Sequence, residues 1–162
     1  MPQLRDYFAY KNSLTYWMDF KNLDAENSAT VLNLVKNEIE AADIRLDQIY
    51  FAPFITDFKK AEKIFAVIRN FFGAKAKIVA VCDKLNDEKE AENLHQFLTR
   101  NNVKFLSIFH KLLNQNFVQT FSNIEIFAWT VNDLERLKEL EAIGVKNIAT
   151  DKITPQIYEK KS

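Results

Sequence analysis

The chain has 162 residues, with 22 Lys+Arg against 22 Asp+Glu, 48% hydrophobic residues and 27% charged ones. This is the composition of a globular chain long enough to bury a core, and zero net charge gives no electrostatic drive toward nucleic acid or an anionic membrane. The lone Cys82 excludes an internal disulfide and a Cys-rich zinc site, and two glycines leave no Rossmann or P-loop phosphate cradle.

In chain order, SLTYWMDFK reads as a strand, and AENSATVLNLVKNEIEAA then places Val31, Leu34, Val35, Ile39 and Ala42 on one helical face. QIYFAPF is a second strand. The helix from about Asp57 carries Ala61, Ile64, Phe65, Ile68 and Phe72 at the 3.6-residue period and stops at Gly73. KIVAVCD is a third strand, and its helix (Ala91, Leu94, Phe97, Leu98) ends at Asn101 and Asn102. KFLSIF is a fourth strand, followed by a short helix with Phe117, Val118 and Phe121. IEIFAWTV is a fifth, with Asn132 or Asp133 as N-cap of a helix carrying Leu134, Leu137 and Ile143 that closes at Gly144. VKNIATD is a sixth strand, and the tail EKKS is polar.

Strict alternation of strands and helices predicts a parallel α/β sheet with outer helices, because a parallel crossover is usually a helix. Six units in 162 residues is about 27 each, near the roughly 31 of a closed eight-unit barrel. The expected fold is therefore an incomplete (β/α)8 TIM-type barrel of about six parallel strands, with residues 1–162 as one domain. No h-region and no run of about 18 apolar residues is present, so neither a signal nor a spanning segment is read. The cysteine usage suits a reducing compartment, and the cytoplasm is the expected location.

The segment Tyr16 to Lys21, YWMDFK, is the most informative. On a strand, Tyr16, Met18 and Phe20 face one way, and Trp17, Asp19 and Lys21 the other. The first set suits the layer beneath the helices. The second puts an Asp and a Lys at the C-terminal end of a strand, where α/β barrels place catalytic residues. The alternative is a structural ion pair between the two.

A second segment, FAWTVND, is followed by LEAIGVKNIATD. Here the chain resembles the C-terminal end of the glycerophosphodiester phosphodiesterase family, where a strand ending W-T-V-N-D precedes a helix and a G-V-x-x-I-x-T-D strand. The matching residues are Trp129, Thr130, Val131, Asn132 and Asp133, then Gly144, Val145, Ile148, Thr150 and Asp151. Upstream, MDFK is similar to the family's I-E-x-K strand, with Asp for Glu.

The resemblance implies metal-dependent hydrolysis of glycerophosphodiesters to glycerol phosphate and an alcohol, and a place in lipid metabolism. It implies Asp19 as a ligand of a divalent cation (Mg or Ca), Lys21 as a catalytic and substrate-binding residue near the phosphate, and Trp129 as an apolar wall for the glycerol. Trp129 as plain filling of the barrel mouth is the other reading. The family's H-R-G, E-x-D and H-D motifs are absent. The chain thus reads as the C-terminal three-quarters of such a barrel, inactive alone, with a phosphodiester ligand when intact. Its expected macromolecular partner is another copy of itself or a complementing N-terminal fragment, since open parallel edges are a liability. A non-enzymatic scaffold that binds phosphate esters or a partner chain is the alternative.

The remaining polar residues carry mainly structural readings. His95 is expected on the surface, and His110 in a loop or at a helix start, with a proton shuttle as its other reading. Cys82 is expected to pack beneath a helix. Asn132 and Asp133 are expected as caps rather than catalysts. Asp151 and Ser107 are left open. The Lys59–Lys60 and Lys160–Lys161 pairs read as solvated faces.

Overall fold

A computed structural model describes residues 3–9 and 14–159. The Lys160–Lys161 pair lies outside them. The chain divides into two compact units, Met1–Ala80 and Val81–Ser162. Strand order is chain order throughout.

The first unit holds α1 (Leu4–Phe8), β1 (Tyr16–Phe20), α2 (Ser28–Ala41), β2 (Ile49–Pro53), α3 (Phe58–Phe72) and most of β3 (Lys77–Cys82). β1 and β2 pair in parallel over five residues, Tyr16 with Ile49 through Phe20 with Pro53. Tyr50 pairs with Lys77 on β3. Tyr16, Ile49, Phe51 and Ile78 are buried on one face, with Phe51 against Phe72 of α3 at 4.3 Å between ring centroids and Tyr16 edge-on to Phe8 of α1 at 4.9 Å. Each such side chain contributes about 1.5–3 kcal/mol by leaving water. Helix α3 lies as its periodicity requires. Asp57 caps it by accepting from Lys60 N at 2.9 Å, and Ala61, Ile64, Phe65, Ile68 and Phe72 are buried.

Helix α2 departs from the predicted face. Its buried residues are Ser28, Leu32 and Ile39, whereas Leu34 is 60% exposed and Val31 and Val35 are half-buried. Both Leu32 and Leu34 fit an apolar stripe on some phase, and the tighter packing of Ser28 and Leu32 selects the phase.

The second unit holds α4 (Glu88–Arg100), β4 (Phe105–Phe109), α5 (Gln115–Thr120), β5 (Glu125–Trp129), α6 (Leu134–Ala142), β6 (Asn147–Ile148) and α7 (Pro155–Glu159). β4 and β5 pair in parallel from Phe105–Glu125 to Phe109–Trp129, and β5 pairs with β6. Asp87, Asn114 and Asp133 cap α4, α5 and α6 through their side-chain oxygens. Between the two candidates, Asp133 is the cap.

Few glycines do not prevent well-formed helix ends. Asp43, Asn102 and Gly144 take positive φ (55°, 50° and 97°) just after α2, α4 and α6. In each case the next residue, Ile44, Val103 or Val145, is buried and donates its N–H back to Ile39, Leu98 or Leu140. This is the left-handed helix stop with its apolar contact, made twice without glycine because Asn and Asp tolerate that conformation best. It also shortens the sixth strand. Val145 is spent on closing α6, so β6 comprises Asn147 and Ile148 rather than all of VKNIATD.

Candidate functional site

In the first unit, β1 alternates as its parity requires. Tyr16 is buried, Met18 and Phe20 are half-buried, and Trp17 and Asp19 share the opposite, exposed face. Trp17 lies against Tyr50 at 5.9 Å, and the Lys77 ammonium lies 4.7 Å from the Tyr50 ring centre, held there by donation to the Asp47 carbonyl at 2.6 Å. Lys21 follows the strand end. Its Nζ is 3.9 Å from Asp19 Oδ2, with the two side chains 73% and 43% exposed.

The described residues do not by themselves complete a divalent-cation site. Mg²⁺ or Ca²⁺ needs about six oxygen ligands, several of them from protein. Asp19 offers one carboxylate with an ammonium already beside it. Among the described residues no group of three or more His, Cys, Asp and Glu is placed to hold a metal.

In the second unit, Trp129 stands at the C-terminal end of β5, opposite Phe109 at the end of β4. Their rings are 5.7 Å apart. Phe109 also meets the ring of His110 edge-on at 5.1 Å, and the Lys111 ammonium lies 5.8 Å from its centre. The Trp129 indole nitrogen and His110 Nδ1 are closed off from solvent without a hydrogen-bond partner among the described residues. Burial, then the charges of Arg136 and Lys111, holds the His110 imidazole below its ordinary pKa of 6.5, so the ring is neutral at pH 7.

Two side chains brace the loops around this cluster. Arg136, from the first turn of α6, donates to the carbonyls of His110 and Leu113 at 2.6 and 2.8 Å and pairs with Glu139 at 2.8 Å. Asn132 Oδ1 accepts from Asp151 N at 2.9 Å and from Thr150 Oγ1 at 3.2 Å. Asn132 is therefore not a helix cap. It ties the W-T-V-N-D segment to the T-D segment, which gives a physical reason for the two to occur together. Asp151 takes part through its backbone N–H, its side chain being exposed.

The other singled-out residues are structural. Cys82 is buried, with Sγ donating to the Lys84 carbonyl at 3.3 Å, and burial pushes its thiol pKa up. Ser107 is buried on β4. His95 is half-buried rather than on the surface, hydrogen-bonded to Asn123 Oδ1 at 2.9 Å and edge-on to Phe121 at 5.2 Å. A cavity of about 370 Å³ between α4 and α5 is lined by Leu112 and Asn114 with Asp87, Glu88 and Glu92, and touches none of the expected site residues.

Neither a protein-family model nor a curated protein matches the sequence. Solved structures do. A Silicibacter pomeroyi protein assigned as a glycerophosphoryl diester phosphodiesterase aligns with a TM-score of 0.76 over 99% of this chain and 57% of that one, at 13% identity. The fold is an incomplete (β/α)8 barrel. An Oleispira antarctica phosphodiesterase, solved with its product sn-glycerol-3-phosphate, matches this barrel with a TM-score of 0.66 over 98% of this chain and 60% of that one, at 13% identity. A mandelate racemase/muconate lactonizing protein of Paracoccus denitrificans, complexed with magnesium, aligns at 0.62 over 91% and 43%, at 15% identity. The chain thus spans less than two thirds of the length of each of these proteins. The likeness extends across two chemistries, so the barrel alone does not select a reaction.

Proposed function

We propose that the 162 residues act as one domain of a glycerophosphodiester phosphodiesterase-like barrel that binds phosphate esters. On this reading, hydrolysis to glycerol phosphate and an alcohol needs further β/α units carrying acid/base histidines and metal carboxylates. The observation that carries it is Trp129 at a strand's C-terminal end within a cross-braced W-T-V-N-D and T-D arrangement, on a fold aligned over nearly its whole length with phosphodiesterases. In the first unit, Lys21 is then a phosphate-attracting residue and Asp19 one ligand of a cation shell completed elsewhere; in the second, Trp129 is an apolar wall for a glycerol. The missing units come from a complementing fragment or a further segment. The location proposed is the cytoplasm and the role lipid metabolism. No helix among the described residues is long and apolar enough to cross a membrane.

The test assays release of alcohol from a glycerophosphodiester with Mg²⁺ or Ca²⁺, for this chain and for a fusion carrying two N-terminal β/α units with H-R-G and E-x-D. Turnover in the fusion alone, lost in Lys21→Met, is the expected result. A fusion that binds sn-glycerol-3-phosphate yet never turns over favours the second reading, a non-enzymatic phosphate-ester scaffold. The observation on its side is the Asp19–Lys21 pairing, which already occupies the metal candidate.

A further inference from the structure

We propose that His110, Lys111 and Trp129 form an anion subsite at the ends of β4 and β5 that takes a phosphate group. The proposal deepens the phosphate-ester reading and rests on it for the ligand class. Its residues are not those expected from the motif comparison, apart from Trp129.

A sealed polar nitrogen without a partner costs about 1–3 kcal/mol, and each one in a native protein needs an explanation such as a bound ion or water. Two occur here, Trp129 Nε1 and His110 Nδ1, on rings that both touch Phe109. The indole N–H only donates, the imidazole donates through whichever nitrogen carries the proton, and an ammonium only donates. The Lys111 ammonium lies over the same Phe109 ring, and among the described residues it has no carboxylate within ion-pair distance. The nearby acids are committed elsewhere, Glu139 to Arg136 and Asp133 to the N–H groups of Glu135 and Arg136. Trp129 Nε1–H and the Lys111 ammonium only donate, and the neutral His110 donates when Nδ1 carries its proton; the group that accepts from all three at once is an oxyanion. A water molecule can neither accept from all three nor neutralise Lys111.

The geometry is also held in place. Arg136 fixes the carbonyls of His110 and Leu113, so the backbone beside the half-buried His110 ring is held in place. Because both nitrogens are closed off, the phosphate enters by displacing that ring from its edge-on contact with Phe109. Charge-assisted hydrogen bonds to the phosphate oxygens then replace the contact.

The chain contains two histidines and two tryptophans, which makes the test direct. Indole and imidazole ¹⁵N signals of the intact chain are followed while inorganic phosphate, and separately sn-glycerol-3-phosphate, is added, with calorimetry in parallel. The expected result is a saturable shift of the Trp129 and His110 signals while Trp17 and His95 stay in place. Lys111→Met should weaken binding about tenfold, the loss of one charge-assisted contact, and Trp129→Phe, which keeps the ring stacking, should weaken it without unfolding the chain. Tighter binding of the ester identifies an esterified ligand, and equal binding identifies free phosphate as sufficient; both support the subsite. Calorimetric binding that leaves Trp129 and His110 unmoved, or that Lys21→Met abolishes and Lys111→Met does not, overturns the subsite and leaves the phosphate-ester reading standing. No binding of either probe overturns both.

Discussion

The ends of β1 and of β4–β5 hold the same kinds of residue, a tryptophan, a lysine and a polar partner, yet they are built differently. At β1, Asp19 and Lys21 meet at 3.9 Å in water, with no further hydrogen bond or ion pair to either side chain among the described residues. At β4–β5, a mostly covered arginine and an asparagine tie three loops together around a cluster with two sealed nitrogens. An exposed pair at that separation contributes little. The Arg136 bonds are part-buried, so losing that side chain leaves two carbonyls short of a partner. The difference teaches that the acidic and basic residues most visible in a motif need not be the ones the fold has organised.

The sharpest way to break this comparison is Arg136→Ala. It strands two carbonyls and removes the partner of Glu139, so it should lower stability by about 2–3 kcal/mol, read as a reduced urea midpoint. Asn132→Ala comes next. It releases Asp151 N and Thr150 Oγ1 to solvent, and a loss of about 0.5–1 kcal/mol is expected, accompanied by faster amide exchange at Asp151. Asp19→Asn should change stability by less than about 0.5 kcal/mol, and thermal melts of the parent chain with and without millimolar Mg²⁺ should coincide. A Mg²⁺-dependent rise in the melting temperature that Asp19→Asn removes would show the β1 end to be the organised one and reverse the comparison.

Which parts of this were legible beforehand follows from how locally each is encoded. Helix α3 was readable to its ends because Asp57, the Ala61–Phe72 stripe and Gly73 all lie within one segment. The parity of β1 was readable for the same reason. The face of α2 was not, since Leu32 and Leu34 are equivalent as letters and only packing separates them. The site divided in the same way. Trp129 at a strand end follows from a short motif, but the brace from Arg136 to His110 spans 26 positions and that from Asn132 to Asp151 spans 19, so no window of sequence contains either. His110 carried one usable signal, its position immediately after a strand's C-terminal end, which also suits an ordinary loop residue.

The smallest effect expected is electrostatic, and it sharpens the comparison from the side of a single proton. His110 is held neutral in the fold by burial and by the positive charges of Arg136 and Lys111, Arg136 itself being paired with Glu139. Its folded pKa is below the 6.5 of the free side chain. As the pH falls through that ordinary value, the unfolded chain takes up a proton that the folded one refuses, so stability declines. Once the pH passes below the folded pKa the native ring protonates as well and this contribution levels off. Above about 6.5 it is fully present. His110→Gln should therefore flatten the stability profile between the folded pKa and pH 6.5 while leaving the plateau at pH 7.5 nearly unchanged, as measured by urea unfolding at half-unit steps. A profile equally steep in His110→Gln would mean that the imidazole is not enclosed, and the contrast between the braced and the open strand end would then rest on Arg136 and Asn132 alone.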